Sequence, residues 1–232
     1  MSSPFDARPR SQTLVLAGAM VLLASHSFGQ GSVGILDTDG ELGCLHGALE
    51  LGIGVAYNQG VGSVGGGDIP SLTAAAGGGE LLELDVGWRL NPNLLFGAYG
   101  NGAKLNPRMA FAGADVWSFA AGLHANWHFL PGKPVDPWIE FGGGYRVYWI
   151  AQPEGTDYRH GLDVVRIQLG VDTPLTRQIA IAAFVGGALS LFLTRQGPLE
   201  NSYSSIPSPQ ITAFFNAGLM ARFDLFGAQA CP

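Results

Sequence analysis

Charge is scarce in this chain: Lys and Arg number 12 and Asp and Glu 18, so that 13% of 232 residues are charged. So few charges argue against disorder. The formal net charge of -6 offers no basic patch for the phosphates of nucleic acid. Long apolar runs are lacking as well, and none approaches the ~18 residues that a membrane helix requires. If the chain enters a membrane, strands must carry it there, because only helices and closed barrels satisfy their backbone groups in lipid. Cysteine is reduced to Cys44 and Cys231. Glycine, in contrast, is abundant at 35 residues, against a usual share of about 7%, and glycine on that scale disfavours a helical protein. The length suits one domain with a full core or one small barrel.

The stretch from Asp115 to Trp149 organises the rest. In its first half Trp117, Phe119, Ala121, Leu123, Ala125, Trp127 and Phe129 alternate with Ser118, Ala120, Gly122, His124, Asn126 and His128. Successive strand side chains point to opposite faces, so one face is apolar throughout and the other polar or tiny. A proline-rich reversal over Leu130–Pro137 leads to a second alternation. Ile139, Phe141, Tyr145, Val147 and Trp149 share its apolar face; Glu140, Arg146 and Tyr148, with glycines, share the other. Aromatics mark both ends of the apolar face: Trp117 and Trp149 at one, Trp127 and Phe129 at the other. Lipid-facing strands of membrane barrels carry such girdles at the two interfaces.

Taken in order, the chain opens with Arg8 and Arg10 before an apolar run, Leu14–Ala24, and small or polar residues to Gly29. This is the pattern of a secretory signal peptide, assigned to residues 1–29. Residues 30–43 follow as a polar periplasmic leader. It contains Asp37-Thr38-Asp39-Gly40-Glu41, which lacks the spacing of a calcium loop and is read as a solvated turn. The barrel is assigned to residues 44–232. Strands are predicted at about Cys44–Asn58, Glu80–Leu90, Leu94–Ala103, within Trp117–Phe129, within Trp138–Trp149, around Val165–Asp172, at Ile179–Leu193 and at about Ile211–Phe226. Between them lie long or medium connections at 59–79, 106–114, 151–161 and 194–209, and short ones at 91–93, 130–137 and 173–178. Long and short alternate strictly. With a periplasmic N-terminus every long connection falls outside the cell, and an even strand number returns the C-terminus to the periplasm. The expectation is an all-β, eight-stranded antiparallel up-and-down transmembrane β-barrel in the outer membrane, both termini periplasmic.

Two segments carry a family resemblance. Pro137-Trp138-Ile139-Glu140-Phe141-Gly142-Gly143-Gly144-Tyr145 resembles the Pro-aromatic-x-x-x-Gly-x-Gly-Tyr run of OmpA-like outer-membrane barrels. Phe215-Asn216-Ala217-Gly218-Leu219-Met220-Ala221-Arg222-Phe223 is similar to the C-terminal signal read by the barrel-insertion machinery. The chain continues beyond that signal to Pro232, and the bare OmpX-type barrels are the nearer analogy. The resemblance implies outer-membrane lipid, lipopolysaccharide and the insertion machinery as partners.

An eight-stranded barrel is just wide enough inside to be filled by side chains. The inward set contains Glu50, Glu83, Asp85, Arg89, His124, His128, Glu140, Arg146, Arg166, Asp172, Arg222 and Asp224. Uncompensated charge in a narrow lumen is costly, so a paired network is expected, with Glu50 meeting Arg222 where the first and last strands close. His124 and His128 lie four apart on one face, about 13 Å at ~3.3 Å per residue, too far for one metal ion. Neither a metal nor another cofactor is expected. Ser118 and His124, the nearest approach to a nucleophile and base for lipid A modification, lie about 20 Å apart along one strand and face inward, so no enzyme is expected. The expected function is a filled barrel acting structurally or through extracellular loops that hold a ligand. The alternative is a narrow ion or small-solute path gated by the charge network. Finally, Cys44 and Cys231 fall at the periplasmic ends of strands that closure makes neighbours, in an oxidising compartment, and a disulfide between them is expected.

Overall fold

The computed structural model describes residues 48–64, 71–176 and 178–225. The expected signal peptide, the expected leader and the expected Cys44–Cys231 bond lie outside these residues. Eight long strands form one closed antiparallel sheet: β1 (Leu49–Val61), β2 (Ala76–Asn91), β3 (Leu94–Pro107), β4 (Asp115–His128), β5 (Asp136–Gln152), β6 (Gly155–Pro174), β7 (Ile179–Gln196) and β9 (Ile211–Asp224). A two-residue strand, β8 (Ser204–Ser205), adds to β7 through Thr194 and Arg195. Each long strand pairs with its sequence neighbour, β7 pairs with β9, and β1 pairs with β9 to close the ring. This is the predicted fold, an eight-stranded antiparallel up-and-down transmembrane β-barrel.

Alternation decides which face goes where. Leu82, Leu84, Val86 and Trp88 on β2 point outward and are each about half exposed, whereas Leu81, Glu83, Asp85 and Arg89 are buried inside. An apolar outer wall of this extent does not suit water and suits acyl chains. Glycine supplies interior room for large polar side chains. A Cβ at Gly97 would overlap the His124 imidazole, and one at Gly170 would overlap the Trp138 indole.

The turns near the strand termini are closed by side-chain acceptors. Asn91 Oδ1 accepts from the backbone N–H of Asn93 and Leu94, both at 3.0 Å. Asp136 Oδ1 accepts from Leu130 N at 2.9 Å, and Thr176 Oγ1 accepts from Gln178 N and Ile179 N at 3.1 and 3.0 Å. Short Asx- and Thr-type turns of this kind satisfy backbone donors locally.

The opposite end departs from the sequence reading in all four connections; in 194–209, β7 continues to Gln196 and β8 pairs with it. Residues 151–161, expected to be a loop, are strand: β5 and β6 form a hairpin turned at Pro153 and Glu154, with Gly155 at φ 142°. Polar side chains there misled because a strand rising beyond the membrane has no need of an apolar face. Likewise β3 continues to Pro107, followed by a short 3-10 turn at Met109–Phe111. Within the connection 59–79, β1 continues to Val61 and β2 begins at Ala76. Just before β2 a single-turn helix, α1 (Leu72–Ala75), is capped by Ser71, whose Oγ accepts from Ala74 N at 3.1 Å. Leu72 N donates to Gly62 O at 2.9 Å, which ties α1 back to the end of β1.

Candidate functional site: the charged lumen

From the end near Leu49 and Asp224, the lumen holds successive tiers of buried polar side chains. In the first, Glu50 stands between two arginines. Its Oε1 accepts from Arg222 Nη1 at 3.0 Å and its Oε2 pairs with Arg89 Nη2. Arg222 also lies 3.7 Å from Asp172 Oδ2 and over the Trp138 ring at 4.4 Å. Trp138 Nε1 donates to Asp172 Oδ1 at 2.7 Å. His128 Nδ1 is 2.8 Å from Asp136 Oδ2, and its Nε2 is 3.5 Å from Arg222 Nη1. The Glu50–Arg222 contact crosses the closing seam, where Gly52 stands opposite Arg222 and Glu50 opposite Asp224. Asp224 itself is half-buried.

The second tier centres on Arg166, which donates to Glu140 Oε1 at 2.5 Å and Glu83 Oε1 at 2.6 Å and stacks over Tyr99 at 4.0 Å. Gln168 Nε2 donates to the same Glu83 oxygen at 3.0 Å. His124 Nδ1 lies 2.6 Å from Glu140 Oε2. Asp85 is buried here, with no hydrogen-bond partner for either oxygen among the described residues. The two histidines thus serve different carboxylates, Glu140 and Asp136.

The third tier joins Arg146 to Asp163 by two bonds, Nε to Oδ1 at 2.6 Å and Nη2 to Oδ2 at 2.8 Å. Such a bidentate fork is the stronger form of arginine–carboxylate pairing. Ser190 Oγ donates to Asp163 Oδ1 at 2.5 Å, and Arg146 Nη1 donates to Ser118 Oγ at 2.8 Å. Ser118 is therefore engaged by an arginine, and His124 by Glu140. Further along β6, Asp157 accepts from Arg159 Nε at 3.0 Å and from Arg195 Nε at 2.8 Å.

Above the third tier the filling is mixed, an apolar cluster standing beside the buried Asp157–Arg159 pair. Leu72 and Ala75 of α1 pack with Val64, Leu105, Ile150, Phe192 and Phe214 in one buried cluster. Arg146 faces Phe214 at 4.0 Å from the other side. On the outer wall, a recess of about 580 Å³ runs over Gly170, Ala183, Ala217 and Gly218, lined by Leu169, Val185 and Leu219.

All twelve lumen residues expected from the sequence lie in or at the edge of these tiers. Sequence reasoning missed Asp136, Asp157, Arg159, Asp163 and Arg195. Asp163 escaped because β6 carries a bulge: Gly142 pairs with Arg166 but Gly144 with Asp163. Val164 and Val165 both point outward. A bulge adds one residue and inverts the parity beyond it. The adjacent Val164-Val165 pair was the signal available.

No family model matches the chain, and no curated protein matches it. Solved structures do. Neisserial surface protein A aligns with a TM-score of 0.57 over 78% of this chain and 100% of its own, at 14% identity. The N-terminal β-barrel domain of Pseudomonas aeruginosa OprF aligns at 0.47, covering 78% of this chain and 99% of its own at 14% identity. The outer membrane protein OprG from Pseudomonas aeruginosa aligns at 0.49, covering 79% and 99% at 13% identity. By the first of these likenesses and by its own strand count and closure, the chain has the fold of the small OmpA/OmpX-like outer-membrane β-barrels.

Proposed function

We propose that the protein is a closed outer-membrane barrel, with both termini periplasmic, that works structurally or through the surface it raises at the other end. The observation that carries this reading is the lumen. Tiers of ion pairs cross it, and the apolar cluster beneath α1 occupies the end above them. Side chains locked in bidentate and doubly bonded pairs fill the sections they cross, and the apolar side chains packed above them resist wetting. The extended β5–β6 hairpin and the loop after β7 form the exposed end, where a ligand of the loops would be met. Lipopolysaccharide, outer-membrane lipid and the barrel-insertion machinery are the partners this placement entails.

A narrow path for ions or small solutes is the second reading. It draws support from the buried atoms of Asn58, Asp85 and Asn126 that have no partner among the described residues, a lining that accommodates water. Planar bilayers containing the purified monomer separate the two. The closed barrel is expected to show no steady conductance, and steady conductance in the nanosiemens range would refute the filled lumen. Proteinase applied to intact cells tests the orientation: cleavage within residues 197–202 is expected, and protection there with cleavage at the turns 91–93 and 130–135 would reverse it.

A further inference from the structure

At the barrel end away from Leu49 and Asp224, aromatic rings run side by side along the outer wall. Trp117 of β4 and Trp149 of β5 stack with centroids 6.3 Å apart and planes 12° from parallel. Trp149 meets Tyr158 of β6 at 6.4 Å. Tyr158 stacks on His160 at 6.4 Å, and Tyr203, from the connection after β7, stands edge-on to His160 at 4.8 Å. The Tyr145 hydroxyl lies 2.6 Å from His160 Nδ1. These rings are not spent on the core: Tyr145, Tyr158 and Tyr203 are 47%, 36% and 54% exposed.

Three observations bear on what covers them. First, the cluster is one-sided. Outward positions at the same end of β7, β9 and β1 carry Leu193, Ile211 and Val61, with Tyr57 and Phe215 as the aromatics there, and no ring contact joins these two to the cluster among the described residues. A belt serving only to anchor the barrel surrounds it; this one is concentrated on β4 to β6. Second, it is continuous with the lipid-facing wall, since Phe119, Val147 and Leu162 follow on the same outward faces. Its occupant therefore belongs to the leaflet. Third, it offers little positive charge. Lys104, beside Trp117 at 5.4 Å, is paired with Asp115 at 3.2 Å, which weakens any selection for phosphate. Flat aromatic faces edged by hydroxyls and an imidazole match a pyranose ring, whose axial C–H bonds lie on the ring faces while its hydroxyls reach the polar edges.

We propose that this ledge binds the sugar headgroup of an outer-leaflet glycolipid, the acyl chains descending over Phe119, Val147 and Leu162. The proposal rests on the orientation given under Proposed function. The test uses the folded full chain and vesicles of phosphatidylethanolamine and phosphatidylglycerol with increasing rough lipopolysaccharide. Retained glycolipid is counted by native mass spectrometry. Trp149→Leu and Tyr158→Leu keep an apolar side chain but lose the aromatic face, and each is expected to lower the apparent affinity at least about tenfold. Trp149→Phe is expected to restore most of it, and Trp127→Leu, at the other rim, to change nothing. Undiminished affinity in both leucine variants overturns the proposal. So does an equal loss in Trp127→Leu, which would mean bilayer anchoring, or displacement of lipopolysaccharide by phosphatidylglycerol alone, which would mean charge recognition. Heat-modifiable migration on gels confirms that each variant is folded, and Tyr158→Leu carries the test if Trp149→Leu is not. A reversed orientation would appear in the proteinase experiment on cells while leaving the vesicle affinities as they are, so the two failures are distinguishable.

Discussion

Glu50 and Arg222 meet across the seam that closes the barrel, and the strength of that closure is measurable. Replacing Glu50 by Gln removes the anion shared by Arg222, at 3.0 Å, and Arg89. Breaking a buried pair by deleting one partner costs about 3–5 kcal/mol. Here neither arginine is left bare: Arg222 keeps Asp172 at 3.7 Å and the Trp138 face, and Arg89 keeps the Pro92 carbonyl at 3.1 Å. Glu50→Gln therefore belongs at the low end, about 3 kcal/mol. Arg222→Gln leaves Glu50 with Arg89 and loses one charged hydrogen bond, about 2 kcal/mol. With both replaced, the contact is between neutral amides and the second loss largely disappears. The double variant should cost about 3 kcal/mol instead of the sum, a coupling of about 2 kcal/mol. Urea titration of the barrel folded into lipid vesicles, followed by tryptophan fluorescence in both directions, measures all four proteins. Additivity to within about 0.5 kcal/mol would refute the assignment of the seam to this pair.

Arg146→Met should cost about 3–5 kcal/mol in the same titration, because it strands Asp163 in the lumen, whereas Ser118→Ala should cost only about 1 kcal/mol; equal losses would contradict the paired third tier. Arginine at outward Leu51 or Ile167 should cost roughly 2–4 kcal/mol if those positions face mid-membrane lipid, and a negligible effect would mean the wall meets something else. Intact mass after alkylation of the denatured, unreduced protein tests the Cys44–Cys231 bond: no added alkyl groups are expected, and two would rule it out.

Much of this barrel is legible in its sequence because strand alternation is a local property. Leu82, Leu84 and Val86 declare an apolar face, and Glu83 and Asp85 a polar one, without knowledge of any other strand. Short turns also announce themselves, as in Asn91-Pro92-Asn93, where one side chain closes the reversal. Strand number and closure then follow from counting, and closure makes the first and last strands neighbours, which is enough to bring Glu50 toward Arg222. Other features needed the folded molecule. Glu83 of β2 meets Arg166 of β6 across the lumen, and such a contact depends on the stagger of every strand between them. The bulge at Val164-Val165 turns Asp163 inward, and only its fit opposite Gly143 and against the Arg146 fork selects that parity. Polar residues in 151–161 look like a loop in isolation, yet pairing with β5 and β7 makes them strand, since backbone bonds to two neighbours outweigh weak local propensity. The same holds for Leu72 and Ala75: within a glycine-rich connection they carry little signal, and they become a plug because the barrel mouth is the nearest apolar surface that can bury them.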